Sequence, residues 1–266
     1  MRVTTSIFRS DVLAGRVALV TGGGTGICKG IARAYLAHGA RVCLVSRKAD
    51  VLRATAAELD AEAPGQVMDA PADVRQPDQL AAAVAATVER MGGLDILVNG
   101  AAGNFLAPAA ALSPNGFRTV VEIDLIGSFN ACKAAFDALC ASGRGLILNI
   151  SATLHYHGTP LQAHAAAAKA GVDSLTRTLA VEWGRFGVRS VAIAPGPIGD
   201  TEGMRRLAPG DAARQMAEHI PLRRFGAVQE VADLAVFLSS DAASYITGAV
   251  FVVDGGHSVA SPSRFQ

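Results

Sequence analysis

The feature that most constrains this chain is a regular alternation, from residue 16 onward, of short β-branched runs with Ala-rich helical segments. Several of the runs are apolar throughout, which is typical of strands covered on both faces. This order predicts a parallel sheet with helices packed on either side. The predicted strands are Val17–Val20, Val42–Val45, Gln66–Ala70, Ile96–Val98, Leu146–Ile150, Ser190–Ala194 and Val250–Val253.

The segments between these strands carry apolar residues at spacings of three and four, as amphipathic helices do. Three of these stripes are Ile27, Ile31 and Tyr35; Leu80, Val84, Val88 and Met91; and Val172, Leu175, Leu179 and Trp183. We therefore predict an α/β protein with a Rossmann-like, doubly wound sheet of seven parallel strands. A single domain spans 1–266, with 1–12 and 258–266 as peripheral tails. Its ligand crevice is expected at the carboxyl ends of the strands.

Composition narrows the classes of function. The 266 residues are 50% hydrophobic and 18% charged, with a net charge of +1, which excludes disorder and gives no basic surface for nucleic acid. No apolar run approaches the ~18–20 residues that cross a membrane. The cysteines form no CxxC pair and no metal-ligand set, and the first 20 residues contain no unbroken apolar run of the kind typical of a secretory leader. We expect a cytoplasmic protein with reduced thiols and no bound metal.

A glycine-rich turn follows the first predicted strand and reads Thr-Gly-Gly-Gly-Thr-Gly over residues 21–26. Glycines there permit a tight strand-to-helix turn and let a pyrophosphate approach the free amides of the helix N-terminus. Such a turn can also be purely structural, but its place after the first strand of a βαβ series favours dinucleotide binding.

The end of the second predicted strand indicates which dinucleotide binds. An acid there would bind the ribose hydroxyls of NAD, whereas a basic residue would accept the 2′-phosphate of NADP. The chain has Ser46, Arg47 and Lys48, and no acid before Asp50. We predict NADPH, with Arg47 on the phosphate; the alternative is that Arg47 and Lys48 are solvated surface charges.

With Thr21–Gly26, Asn99–Gly103 and Pro195–Ile198 at these places, nearly the whole chain resembles the short-chain dehydrogenase/reductase superfamily. One departure is Cys28, which stands where that family has its third turn glycine and makes the contact between the first helix and the sheet uncertain.

A second departure concerns catalysis. Lys169 matches the active-site lysine, but Ala165 and Ala152 replace the usual Tyr and Ser. Because a methyl group cannot donate a proton, carbonyl reduction by the Ser/Tyr/Lys route is excluded.

Longer segments resemble one branch of the superfamily, the 2,4-dienoyl-CoA reductases. They include Ala101–Leu106, Ser151–Leu154, His164–Lys169 and Ala194–Gly203. The mitochondrial type has a catalytic Tyr at the position of Leu154. The peroxisomal type lacks it and is thought to use an Asp and the Lys, which match Asp124 and Lys169. The resemblance implies that NADPH reduces a 2,4-dienoyl-CoA to a 3-enoyl-CoA, as in the β-oxidation of unsaturated fatty acids.

The resemblance also implies the binding residues. The cofactor would contact Gly22, Gly23, Gly24, Thr25, Gly26, Ile27, Ser46, Arg47, Asp73, Val74, Asn99, Ala101, Lys169, Pro195, Gly196, Ile198 and Thr201. The acyl-CoA would contact Phe105, Ser113, Asn115 and Arg206. Phe105 offers an apolar wall, and Arg206 offers a cation for a CoA phosphate.

Reduction of a dienoyl thioester collects negative charge on the thioester oxygen, which needs positioned donors. Asn104 and Lys169 are the predicted donors. Asp124 would oppose that charge unless it acts through a water, pairs with Lys169 or is protonated, and it could instead be a structural residue that kinks its helix.

The sequence also contains histidines near the predicted site. We interpret His155, Tyr156 and His157 as solvated loop residues. His164 is interpreted as a residue of a helix's first turn or of an interface, and not as a proton donor.

Two other functions remain open at this stage. One is a related reductase of another conjugated acyl thioester or enone. The other is an inactive NADP-binding scaffold or sensor, because Ser and Tyr are both missing. We further expect a homotetramer, as is common in the family, and a bacterial cytoplasm.

Overall fold

The computed structural model describes residues 7–201, 203–204 and 211–260. Within these residues seven parallel strands form one sheet in the order β3-β2-β1-β4-β5-β6-β7. The strands are β1 Val17–Thr21, β2 Arg41–Ser46, β3 Val67–Pro71, β4 Ile96–Asn99, β5 Leu146–Ile150, β6 Arg189–Pro195 and β7 Val250–Val253. The predicted fold is confirmed, and every strand lies within one or two residues of its prediction.

Helices cover both faces of the sheet. They are α1 Gly26–Ala37, α2 Ala49–Glu62, α3 Pro77–Met91, α4 Pro114–Val121, α5 Gly127–Ala141, α6 Ala163–Trp183, α7 Asp211–His219 and α8 Val228–Ser239. A π-helical turn over Glu122–Ile126 joins α4 to α5, and short 3₁₀ turns occupy Thr153–His155, Gly184–Phe186, Asp241–Ala243 and His257–Val259. All strands run in the same direction, but successive strands are added to one side of β1 up to β3 and to its other side from β4 onward, so the crevice opens where β1 and β4 end.

Two hydrophobic clusters, one on each face, hold the helices to the sheet. On one face Tyr35 of α1 is fully buried, and its hydroxyl lies 2.6 Å from Ser239 Oγ of α8. Phe8 and Val12, from the segment expected to be a tail, pack against this same cluster.

The stripe prediction for α3 is wrong at one position. Leu80, Val84 and Met91 are buried, but Val88 is 37% exposed and Thr87 is buried instead. Two steps of four residues carry Val88 about 80° around the helix from Leu80, because an α-helix has 3.6 residues per turn, and the step of three residues returns Met91 to the buried face.

Cys28 does not separate α1 from the sheet. Its sulfur lies directly against Gly100, so that a Cβ added to Gly100 would come within 1.9 Å of Cys28 Sγ. The space that a glycine would leave on α1 is filled by this sulfur, and the missing side chain at Gly100 makes room for it.

Candidate active site

The glycine turn between β1 and α1 forms one wall of the crevice. Gly22 has φ +69°, and a Cβ on it would lie 2.7 Å from the carbonyl oxygen of Gly100, so only glycine fits. Gly26 and Ile27 open α1, whose N-cap residue Thr25 makes no side-chain hydrogen bond to the helix. The first amides of α1 therefore have no capping side chain, as an anion-binding helix N-terminus requires.

The loop after β6 lies over this turn. Pro195 ends β6, and Gly196 donates its amide to Val253 O at 2.9 Å. Ile198 is buried, and Thr201 caps the backbone by donating to Ile198 O. The methyl carbon of Thr201 lies 4.0 Å from a Cβ built on Gly26. The structure thus brings together the glycine turn and the predicted residues of the β6 loop.

Three charged side chains gather where β2 and β3 end. Arg47, which follows Ser46, is half exposed, and its Nη1 lies 4.0 Å from Asp73 Oδ2. Arg75, which the sequence analysis did not single out, binds the same carboxylate through Nε and Nη2 at 2.6–3.1 Å. The hydrogen bond from Arg75 holds the pKa of Asp73 below its usual value. Two guanidinium groups therefore flank the position expected for a 2′-phosphate, and Asp73 orients both.

The end of β4 is fixed by the hydroxyl of Thr21. Thr21 Oγ1 accepts the amide of Gly100 at 3.0 Å and that of Ala101 at 3.3 Å. Asn99 is 3% exposed, and its amide donates to Asn149 Oδ1 on β5 at 2.9 Å. The Asn99 amide nitrogen is thus engaged inside the protein, whereas its Oδ1 is buried without a hydrogen-bond partner among the described residues.

A buried ion pair lies at the centre of the crevice. Lys169 Nζ of α6 is 3.3 Å from Asp124 Oδ2, and the two side chains are 9% and 2% exposed. Lys169 also donates to the carbonyl oxygen of Ile150 at 2.9 Å, and Asp124 Oδ1 accepts the amide of Gly103 at 2.7 Å. Of the states open to Asp124 from sequence, the structure selects the one paired with Lys169.

Asp124 owes its position to the π-helical turn. The extra residue in a π turn rotates the side chains on either side of it, and such turns are frequent at functional sites. The turn brings Asp124 beneath the β4 loop, while Ser128, one turn later, donates to the backbone oxygen of Asp124. Asp124 therefore joins the start of α5, the β4 loop and α6.

The predicted donor Asn104 is on the exposed side of the β4 loop. Its Nδ2 donates to Gln162 Oε1 at 2.5 Å, immediately before α6. An amide nitrogen carries two hydrogens, so one hydrogen of Asn104 is available for a substrate oxygen. Gln162, which the sequence analysis missed, orients that amide.

The positions of the missing Ser and Tyr have no hydroxyl group. Ala165 is buried with 2% exposure and Ala152 is half-buried. Leu154, at the position of the mitochondrial-type tyrosine, is also half-buried within the 3₁₀ turn after β5. At all three matched positions, therefore, proton donation by a side chain is absent.

The predicted acyl-CoA residues lie at the outer edge of the crevice. Ser113 caps α4 by accepting the amide of Gly116 at 3.0 Å, and Asn115 is exposed in the first turn of that helix. The ring tip of Phe105 and Ser113 Oγ both lie 3.2 Å from a Cβ built on Gly116, so the two predicted side chains are close to each other. Arg206 lies outside the described residues.

The interpretation of His155 as a solvated loop residue is wrong. Its side chain is 16% exposed, and Nε2 lies 2.9 Å from the buried carboxylate of Asp173 on α6. Tyr156 donates to the same carboxylate at 3.4 Å, and burial, together with Asp173, raises the pKa of this phenol. The ring of His157 packs edge-on against His257. A buried acid one helical turn after Lys169 attracts these side chains, and sequence spacing on separate elements did not reveal it.

His164 lies in the first turn of α6, as the sequence analysis suggested. It is fully buried, and its Nδ1 accepts the amide of Ala165 at 2.7 Å. Its ring meets that of Phe105 edge-on, with 4.4 Å between the centroids.

No three His, Cys, Asp or Glu side chains converge as metal ligands within the described ranges. None of the described helices is long and apolar enough to cross a membrane.

Comparison with known proteins agrees with this geometry. A family model described as enoyl-(acyl carrier protein) reductase matches residues 22–258. The chain belongs to the short-chain dehydrogenase/reductase family of oxidoreductases.

Within that family the chain is 47% identical to the peroxisomal 2,4-dienoyl-CoA reductase [(3E)-enoyl-CoA-producing] of Danio rerio, over 96% of this chain and 86% of the relative. It is 45% identical to the enzyme of the same name from Arabidopsis thaliana, over 97% and 89%. A crystal structure of a short-chain dehydrogenase from Bacillus anthracis matches with a TM-score of 0.86 and 39% identity, over 95% and 99% of the two chains.

Proposed function

We propose that this protein is an NADPH-dependent 2,4-dienoyl-CoA reductase that forms a 3-enoyl-CoA. The observation that carries the proposal is the buried Asp124–Lys169 pair beside alanines at the positions of the family's Ser and Tyr. A site without a phenol is unsuited to ketone reduction but suited to reducing a carbon–carbon double bond conjugated to a thioester. The relatives named 2,4-dienoyl-CoA reductase support this choice of substrate.

The residues present fit the dinucleotide. A Cβ on Gly22 would collide with the backbone of Gly100, so only glycine permits this tight turn, and the N-terminus of α1 is free of a capping side chain. Arg47 and Arg75 supply positive charge at the ribose end, which favours NADPH over NADH. When bound, NADPH supplies the hydride for the remote end of the diene.

The protein's own groups would handle the charge that develops on the thioester oxygen. Lys169 would add a positive field, and its remaining ammonium hydrogen would bind the nicotinamide ribose, as the family resemblance implies. Asn104 contributes an amide hydrogen, held in place by Gln162. Asp124 fixes the ammonium of Lys169 and the amide of Gly103, and orients the path by which water protonates the dienolate carbon.

The direct test follows NADPH absorbance with 2,4-hexadienoyl-CoA, a 2-enoyl-CoA and a simple ketone in parallel. We expect consumption of NADPH with the dienoyl-CoA alone, and chromatography should show a 3-enoyl-CoA as product. Turnover of the ketone would contradict the argument that a site with Ala165 in place of the phenol does not reduce ketones. No turnover of any substrate, with NADPH still bound, would instead favour the scaffold or sensor function.

We also propose a homotetramer in a reducing cytoplasm. Large apolar side chains are exposed on helices and in turns, including Phe129, Val181 and Leu222, and such surfaces are commonly buried between subunits. All four cysteines are free, three of them buried, as expected for reduced thiols. Light scattering after size-exclusion chromatography tests the assembly, and a monomer at micromolar concentration would exclude it.

A further inference from the structure

One of the two ring nitrogens of His164 has no hydrogen-bond partner among the described residues. The side chain is fully buried, and Nε2 makes no hydrogen bond to any described residue. Nδ1 accepts a hydrogen from the amide of Ala165, so in the neutral imidazole the ring hydrogen must be on Nε2. His164 therefore presents a buried N–H donor with nothing to receive it.

His164 packs against Phe105, the side chain proposed as a wall for the acyl group. The half-exposed Phe105 ring covers the imidazole, with centroids 4.4 Å apart and planes at 82°. Phe105 follows Asn104 in the β4 loop, and Gln162, the partner of Asn104, stands two residues before His164. The wall proposed to receive the acyl chain is therefore in direct contact with the His164 ring.

The other donors of the site are already partly engaged. Lys169 binds Ile150 O and Asp124, and Asn104 binds Gln162. The position of the family's phenol is occupied by the methyl group of Ala165, whose own amide holds the His164 ring in place. The imidazole is an uncharged side-chain donor one residue before that position.

We propose that His164 donates its Nε2 hydrogen to the thioester oxygen of the bound acyl-CoA, with Phe105 moving off the imidazole as the acyl group enters. This inference rests on the proposed reductase function. The hydrogen bond strengthens as negative charge collects on the oxygen, so His164 serves as an oxyanion donor in a site that has lost its phenol.

Two substitutions at His164 distinguish the role of Nδ1 from the role of Nε2. In His164→Asn the side-chain oxygen can replace Nδ1 as acceptor for Ala165, but no group reaches the Nε2 position. In His164→Gln the amide nitrogen can reach the Nε2 position, while the cap on Ala165 is lost. Comparison of kcat for 2,4-hexadienoyl-CoA in these variants distinguishes an oxyanion donor from a helix cap. His38→Asn, at a buried histidine before β2 and far from the crevice, is the matched control.

We expect His164→Asn to lower kcat on the order of 10²-fold and His164→Gln to lower it less than tenfold. Both variants should keep the circular dichroism spectrum of the wild-type protein and its Kd for NADPH. The His38 variant should keep its kcat. A wild-type kcat in His164→Asn, or equal losses in Asn and Gln, would overturn the proposal.

If the wild-type protein consumes no NADPH with the dienoyl-CoA, the proposed function fails by itself. The hydrogen bond is then judged by calorimetry of 2,4-hexadienoyl-CoA binding to the NADP⁺-saturated protein. A larger Kd for the acyl-CoA in His164→Asn than in His164→Gln would support the hydrogen bond, and equal Kd values would overturn it.

Discussion

Replacement of Asp124 by Asn tests the ion pair with little change of shape. The amide oxygen can still accept the hydrogen of Gly103, but the negative charge facing Lys169 is lost. Lys169 would then be a buried ammonium with only the carbonyl oxygen of Ile150 as partner. The variant therefore removes one interaction and leaves the surrounding packing as it is.

The size of the effect follows from the geometry. Two unit charges 3.3 Å apart attract by about 5 kcal/mol at an effective dielectric constant of 20. Desolvation offsets part of this attraction, but breaking a buried pair by removing one partner typically costs about 3–5 kcal/mol. At roughly 2–4 °C per kcal/mol for a chain of this size, Asp124→Asn should lower Tm by about 6–20 °C.

The same variant has a separate effect on catalysis. We expect kcat for the dienoyl-CoA to fall on the order of 10²-fold, because Lys169 is no longer held and the proton path is lost. Lys169→Ala should lower kcat equally and also weaken NADPH binding, whereas Asp124→Ala should leave NADPH binding intact.

The double variant Asp124→Asn/Lys169→Met separates the contribution of the ion pair to stability from its contribution to catalysis. It leaves no unpaired buried charge, so its loss of stability should be smaller than the sum of the two single losses. Its kcat should remain as low as that of the single variants. Additive losses of stability, or recovery of kcat in the double variant, would refute the reasoning.

Three other variants test the cofactor site and the fold. Arg47→Asp should raise the Kd of NADPH by roughly 10–100-fold and improve NADH binding, and equal affinities for both cofactors in the wild-type protein would contradict the assignment. Gly22→Ala should abolish NADPH binding and destabilise the protein, whereas Gly65→Ala, which has a similar φ of +75° but open space, should cost only about 1–2 kcal/mol of strain. The hydrogen bond from Arg224 lowers the pKa of Glu230 from 4.5 to about 2, so the pair stabilises the fold above pH 4.5 and loses this effect as the pH falls toward 2. Because Glu230 is 42% exposed, Glu230→Gln should cost only about 0.5–1 kcal/mol at pH 7 and nothing near pH 2, as measured by urea unfolding.

The fold was predictable because its signals are local. Apolar runs such as Leu146–Ile150 are both strand-length and fully buried, and the glycine turn directly follows β1. The parallel order then places all carboxyl ends at one edge, so the crevice could be located before any coordinate was known. The exposure of Val88 was missed because residue spacing predicts which face of a helix is buried but not how far the buried area extends around the helix.

The sequence predicted which residues belong to the site but not how their side chains are paired. Family motifs indicated Asp124, Lys169 and Asn104, but not which of them are paired or to what. The contacts of His155 with Asp173, and of Arg75 with Asp73, depend on side-chain directions set by the tertiary fold. Gln162 and the free nitrogen of His164 likewise give no pattern along the sequence.

The acid at position 124 and the alanine at position 165 belong to one chemical arrangement. Most members of the superfamily have Asn and Tyr at these positions, where the phenol must lose and regain a proton. Here Lys169 has no phenol to activate, and a carboxylate is 3.3 Å from its ammonium. Such a site can hold charge and guide water, but it has no phenol to transfer a proton to a carbonyl oxygen. Asp124→Asn restores the residue usual in the superfamily and should nevertheless lower activity, because without the phenol an asparagine there has no proton relay to complete.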